Sequence, residues 1–548
     1  MPVQCVIRSF VRTVTAADGV FAPGHLGELT QWVPFELVED VLASARAVQR
    51  RVRDLPSRVG VYFVLALALF ADCSYLDTWA ALVAGLAPLE GLAVASPSRQ
   101  ALGELRRRVG PAPVKALFEV LAGPLGGRAT PGVRHRCWRT VAFDGCSSIK
   151  GPDGERVRSW LGSPRRWLGL PGYPTVMLVA LVETGTRGLL AAAFGSGHGS
   201  GNGEINYARR LCHRLDASML LLGDRAYDSN ELLRRVAATG AMFLVRAKCT
   251  RTLPVLAVLG DGSFLSRLDG LAVRVIEATI TATGPEGQVI AHDGYRLVTT
   301  LLDPHTDPAP VLVRLYHERW EIESAYYALR HTLLHGRVLR SRSRAGLEQE
   351  LWAILSVYQL LRTAMLEATD TVGADPDRAS FTIALHTARH QVHAAAGILA
   401  ATDPHGRITV TGAIGRAVQT NLLGPRRPRI SVRKVKSPIS RYPARPTGDN
   451  RPPTSTDITD IEIDITEPGT PHEPAPTTPR PHGLAPVLTV LTSDPTRTWH
   501  ARDIAHHLGE TNINSIASRL SRWATHGKIH KVGPATYRPN PLTPAEVT

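Results

Sequence analysis

A chain of 548 residues is too long for one hydrophobic core and implies several domains, while 63 Lys and Arg against 48 Asp and Glu give a formal charge of +15 that favours a polyanionic partner. The longest apolar run, Val59 to Ala71, is shorter than the roughly 20 residues that span a bilayer, and Met1-Pro2-Val3-Gln4 does not begin a basic and then apolar leader. Six cysteines without a C-x-x-C pair argue against both a disulfide framework and a structural zinc site, so no membrane association and a cytoplasmic setting are expected.

Residues 1–130 read as a helical N-terminal domain. Leu37 to Arg53 and Leu76 to Leu86 have helical periodicity, and Val59 to Ala71 is apolar nearly all round, as in a buried helix. Ser96-Pro97-Ser98 then starts a basic helix through Arg106-Arg107-Arg108, which fits either a helix-turn-helix reader of DNA or a helix with a solvated basic face.

From 131 to 245 strands and helices alternate. Trp138 to Asp144 is a strand, Thr175 to Glu183 and Gly188 to Phe194 form a hairpin, and Glu204 to Leu215 is a helix. Met219 to Gly223, Glu231 to Ala238 and Met242 to Arg246 then give a strand, crossover helix and parallel strand. A meander followed by parallel strands predicts an α/β fold with an RNase H-like sheet, in which Asp144 and Asp224 end neighbouring strands. One aspartate after a strand is usually a turn residue; two that converge are harder to dismiss. The Gly195 to Gly203 run lacks the Lys-Ser/Thr of a phosphate loop and reads as a flexible connection.

Residues 246–305 lose the helical period and read as a β-rich insertion, before 306–370 returns to the core. On a regular helix Tyr316, Arg319, Glu323 and Arg330 share one bearing. A phenol, a carboxylate and two guanidiniums on one stripe suit a place where metal and phosphate meet, although charged helices are commonly just solvated. The helix from Leu347 to about Met365 presents an apolar face to the sheet.

Tyr316, Arg319, Glu323 and a cation at 330, with Asp144 and Asp224 upstream, resemble the motif of the DDE transposases of insertion sequence family four. The resemblance runs over roughly residues 20 to 370 and includes Leu339-Arg340-Ser341-Arg342 with Gln349-Glu350. Arg330 stands where that family usually has Lys. Residues 246–305 contain no Trp, whereas better-known relatives hold a flipped base on insertion-domain tryptophans; Phe264, Tyr295 and Trp320 are the aromatics available instead. The resemblance implies that Asp144, Asp224 and Glu323 hold two divalent cations, Mg2+ or Mn2+, and that Tyr316, Arg319, Trp320 and Arg330 contact DNA. The implied reaction nicks the ends of an insertion sequence and joins them to target DNA. Double-stranded DNA is then the partner, as element ends and as target, with no small-molecule substrate, a homodimer on DNA and a nucleoid-associated location. A nuclease without strand transfer and a catalytically silent end-binding regulator are the alternatives.

The C-terminal part divides into a basic region at 371–446, with Arg426 to Lys436 as a phosphate-tracking arm, a disordered Pro- and Thr-rich linker at 447–482, and a winged-helix domain at 483–548. The third helix of that domain, Asn512 to Thr525, presents Asn514, Ser515, Ser518, Arg519 and Arg522 to DNA while Ile516, Leu520 and Trp523 pack inward; a protein-interaction winged helix is the alternative.

Overall fold

The computed structural model describes residues 22–49, 55–87, 93–162, 172–199, 201–248, 251–284, 287, 289–396, 412–424, 460–468, 484–509 and 513–540. These form two compact units, and the larger one carries the sheet. It opens with five helices, α1 (Phe35–Ser44), α2 (Ser57–Leu69), α3 (Tyr75–Val83), α4 (Arg99–Val109) and α5 (Ala112–Leu121). Ser74 caps α3 in a reciprocal box with Asp77, and Ser98 caps α4, which satisfies amides that the first turn leaves open. Every residue of α2 except Arg58 is buried, as its uniformly apolar sequence requires, and no helix among the described residues is long and apolar enough to cross a membrane. The basic end of α4 is largely spent inside the protein. Arg106 is buried and donates to Gln349, Tyr75 and Ser341, and Arg108 donates to the Leu55 carbonyl.

The central sheet follows. Its strands are β1 (Arg134–His135), β2 (Trp138–Lys150), β3 (Thr175–Glu183), β4 (Leu189–Ser196), β5 (Met219–Gly223), β6 (Met242–Arg246), β7 (Ala257–Val258), β8 (Phe264–Leu268), β9 (Leu271–Thr283), β10 (Val289–Thr299) and β11 (Asp460–Ile465). Their main order is β4-β3-β2-β5-β6-β10-β9-β8-β7. β2, β3 and β4 are antiparallel, whereas β5 lies parallel to β2 and β6 parallel to β5. This mixed α/β topology fits the RNase H-like sheet expected from the meander and crossover. Helices α6 (Glu155–Leu161), α7 (Glu204–Leu211), α8 (Asn230–Ala238), α9 (Ala309–Tyr316), α10 (Glu321–Tyr327), α11 (Arg344–Thr371), α12 (Phe381–His393) and α13 (Ala413–Thr420) complete the unit. Alternation along β2 sends Val141 and Phe143 into a core shared with α7 and α8, and Ala142 into one shared with α9.

The β-rich insertion continues the central sheet, because β10 pairs antiparallel with β6, Leu297 opposite Arg246. One expectation changes. The linker expected to be disordered from 447 to 482 contains β11, which pairs with Ala278 to Thr283 of β9 beyond the end of β8. Asp460-Ile461-Glu462-Ile463-Asp464-Ile465 alternates with period two, so its isoleucines pack on the core under α9 while its acids stay exposed. The basic arm from Arg426 to Lys436 lies outside the described residues.

The smaller unit contains α14 (Leu484–Ser493), α15 (Ala501–His507) and α16 (Ile513–Thr525), with β12 (Trp499–His500), β13 (Ile529–Gly533) and β14 (Thr536–Pro539) in an antiparallel sheet of order β12-β14-β13. Ile516 and Leu520 are fully buried and Trp523 packs against the same core, as the spacing predicted.

Candidate active site

The last paired residues of the parallel β2–β5 ladder are Ala142 and Leu222. Asp144 and Asp224 each lie two residues further on, so they reach the same level on adjacent strands whose axes are about 4.8 Å apart. Each uses one oxygen locally. Asp144 Oδ1 accepts from the Gly145 amide at 2.9 Å, and Asp224 Oδ1 accepts from the Ala226 amide at 2.8 Å, capping a short 3-10 turn. The turn reading of an aspartate after a strand is therefore true of Asp224 and is compatible with a second role for its other oxygen.

Glu323 arrives on α10. Tyr326, one turn further along, donates its hydroxyl to the Asp144 carbonyl at 2.6 Å and accepts from the Ala180 amide at 3.0 Å, which ties this helix across β2 and β3. The neighbouring acid, Glu321, is buried in an ion pair with Arg187, which also holds Asp377. Glu321 thus anchors the helix and Glu323 is the acid left at the surface, its side chain 47% exposed.

The helix under the expected stripe is irregular, although Arg319 still lies against both the Tyr316 ring, at 5.8 Å, and Glu323. Residues His317–Trp320 wind as a 3-10 turn and Ala328–Leu333 as a π turn, which rotate successive side chains by more and by less than an α-helix does. Tyr316 is 2% exposed and its ring packs on Tyr295 and His317, so it meets the site from inside the core. Arg319, 5% exposed, is buried too, and Trp320 and Arg330 are half-buried. The Arg319 guanidinium lies 5.1 Å from the Trp320 ring and 3.8 Å from Glu323 Oε1, and its Nε and Nη1 have no hydrogen-bond partner among the described residues. Of the aromatics considered for base stacking, Phe264 is buried, whereas Tyr295 is half-buried beneath Arg246 at 4.2 Å.

Electrostatics join these groups. Burial pushes the Asp144 carboxyl up to about 7, against the pull of Arg319 and the Gly145 amide and with the repulsion of Glu204 and Glu323. Burial pulls Arg319 down, but Tyr316, Asp224, Asp144 and Glu323 outweigh it and hold the guanidinium above its ordinary value. Tyr316 is raised by burial, with Arg319 opposing. Glu204, at the start of α7, was not singled out in the sequence; it accepts from the Tyr227 hydroxyl at 2.6 Å. Among the described residues no three His, Cys, Asp or Glu side chains already form a closed cation cage. The donor set nevertheless suits a hard divalent ion, being all oxygen and carrying more negative charge than Arg319 balances.

Two families match successive parts of the chain, "Insertion element 4 transposase N-terminal" over residues 23–119 and "Transposase DDE domain" over 162–360. The second span includes Asp224 and Glu323 and begins after Asp144. Transposase InsG for insertion sequence element IS4, from Escherichia coli (strain K12), is 27% identical over 443 residues, which cover 77% of this chain and 94% of that protein. A solved structure, the piggyBac transposase synaptic complex with hairpin DNA, covers 75% of this chain and 87% of its own at 11% identity and a TM-score of 0.35, a likeness too remote to carry an argument. The sheet, its aspartates and these matches define a metal-dependent DDE transposase. Within that class the N-terminal match is the narrower one. The chain belongs to the DDE transposases of insertion sequence family four.

Proposed function

We propose that this transposase nicks the ends of its own insertion sequence and joins them to target DNA at a centre made by Asp144, Asp224 and Glu323. The observation that carries the assignment is the shared level of the two aspartates on parallel β2 and β5, with Arg319 charge-coupled to both and to Glu323. The three carboxylates hold Mg2+, or Mn2+ in its place, which when bound supplies Lewis-acid stabilisation of phosphoryl oxygens and a more acidic attacking water or hydroxyl. Attack by water breaks a bond between phosphorus and a 3′-oxygen, and the leaving oxygen ends as a free 3′-hydroxyl. Attack by that hydroxyl on a target phosphodiester makes one such bond and breaks another, so joining needs no outside energy source.

The protein's own groups position this chemistry. Arg319, held under Trp320 and among the acids, limits their mutual repulsion and adds positive charge where a phosphate is drawn into the site. Tyr316 supports Arg319 from the core. Arg330, half-exposed on the π turn, neutralises an end-DNA phosphate. Trp320 or Tyr295 offers the face on which an unstacked base rests. The helical N-terminal domain at 1–130 and the basic region at 371–446 contribute further phosphate contacts. The smaller unit acts as a winged helix, with exposed Arg522 and half-buried Arg519 on α16 facing DNA. Two copies, one per element end, act together in the nucleoid of the cytoplasm.

Alanine replacements of Asp144, Asp224 and Glu323 test this assignment. Cleavage in Mg2+ is lost in each, while affinity for end DNA in chelator stays equal or tightens because a negative charge next to phosphate has been removed. Retained cleavage in any folded variant removes that residue from the centre, and weakened binding with lowered melting in all three makes them structural.

A further inference from the structure

We infer that Tyr326 is a positioning residue of the catalytic centre: its hydroxyl, set between the Asp144 carbonyl of β2 and the Ala180 amide of β3, fixes Asp144 relative to Glu323. The inference rests on the function proposed above and deepens it.

The backbone at Asp144 lies between the end of one pairing and an irregularity in another. The β2–β5 ladder stops at Ala142 and Leu222, and the β2–β3 register shifts after Cys146. Within the stretch that remains, Asp144 faces Ala180. The Tyr326 hydroxyl donates to the Asp144 carbonyl at 2.6 Å and accepts from the Ala180 amide at 3.0 Å. One oxygen therefore takes a carbonyl and an amide that point into the same gap, where a facing antiparallel pair would bond directly. Without the hydroxyl those two groups are left to meet across the gap, and closing it moves Asp144 with respect to α10.

Tyr326 approaches from the face that carries the Asp144 side chain. Cys146, two residues on along β2, packs in the core that holds Tyr326 and Ala180, whereas Phe143 packs in the opposite one. Tyr326 also follows Glu323 by one turn, so a single rigid helix carries the third carboxylate and the group bonded to the backbone of the first. Anchoring that helix does not require the hydroxyl. Glu321 already pairs with Arg187, and Ile322 and Ala325 are fully buried. A phenylalanine would fill the same apolar space, so the phenol oxygen is explained by what it bonds. Burial, and then Asp144, raise the Tyr326 hydroxyl well above the ordinary phenol range, so it stays protonated and keeps donating.

The test uses the full-length protein and end DNA under single-turnover conditions in Mg2+, so that the rate constant of nicking and its amplitude are read separately. In Tyr326→Phe the rate constant at saturating DNA falls by roughly 10- to 100-fold, the range seen when groups that orient metal-binding side chains are removed. The amplitude, and the affinity for end DNA in chelator, stay those of the wild type. A second readout needs no cleavage: melting of the DNA-free protein is followed as Mn2+ or Mg2+ is added from chelator upwards, because an ion bound only by the native state raises the melting point with its concentration. The half-saturating cation concentration moves up in Tyr326→Phe. A wild-type rate constant or a superposed cation curve overturns the inference. So does a loss confined to the amplitude, or a variant that does not melt cooperatively, since the hydroxyl then serves folding alone. Glu323→Gln run alongside separates the two claims. If it is inactive while Tyr326→Phe cuts at the wild-type rate, only the positioning role is wrong; if Glu323→Gln itself cuts, the proposed centre fails.

Discussion

Asp144→Asn should stabilise the apo protein at neutral and higher pH, and the sign follows from burial. The carboxyl rises from 3.8 to about 7 because burial disfavours its charged form more than Arg319 favours it. Across that window the folded state holds a proton that the unfolded state has released, so the stability of the wild type falls as pH increases through it. At 1.36 kcal/mol per pH unit the loss reaches about 4 kcal/mol once pH exceeds the folded value. Asparagine keeps the shape and has no proton to lose. In chelator, the variant should match the wild type below the lower end of the window and exceed it above the upper end, by an amount of at most this size. Chemical denaturation of both proteins on either side of the window measures it, with amide exchange in β2 reporting the transition of the larger unit. A bound divalent cation should then reverse the ranking, because it favours the ionised carboxylate. Equal pH dependence in the two proteins, or a less stable variant at high pH, would refute the reasoning.

Glu321→Gln should lower the melting point clearly, because the buried Arg187 then keeps only Asp377, whereas Glu323→Gln leaves the melting point nearly unchanged and abolishes cleavage; comparable melting losses in both would undo the distinction drawn between the two acids. Arg330→Gln should make the slope of log affinity against log salt shallower by about 0.9, one phosphate contact, and an unchanged slope would place Arg330 away from DNA. Residues 484–540 should fold as a separate piece with a cooperative melt and bind DNA, and their deletion should weaken binding while leaving metal-dependent nicking at saturating DNA; complete loss of nicking would contradict that arrangement. Ile463→Asp should undock β11 and speed amide exchange along Ala278 to Thr283 of β9, and unaltered exchange there would mean that the strand contributes nothing to the sheet.

What could be read from the sequence was local. Apolar runs ending in Asp144 and Asp224 and the crossover helix from Glu231 to Ala238 that follows the second carry much of the strand order, because a period of two and a helix-length connection are visible without tertiary information. Glu323 came from motif spacing, and the ion pair of Glu321 with Arg187, 134 residues earlier in the chain, gives the neighbouring acid a separate, structural part. The pairing of β10 with β6 depends on long-range register and has no sequence signal. β11 did have one. Its strict alternation of acid and isoleucine was outweighed by the Pro- and Thr-rich composition around it, which shows composition to be a weaker guide than period over six residues. The 3-10 and π turns depart from the ideal helix on which the stripe was drawn, and the burial of Tyr316 and Arg319 was not legible from that helix. Glu204 stayed hidden because its defining neighbour, Tyr227, is brought to it by the fold.

The central claim, a single centre that both cuts and joins DNA, is tested most directly by incubating the protein with its element's ends, Mg2+ and a target plasmid, and resolving the products. The wild type should yield end DNA covalently joined to plasmid, and Asp144→Asn, Asp224→Asn and Glu323→Gln should each yield bound but uncut DNA. Cut ends without joined product from the wild type, or joined product from any of the three variants, would contradict it.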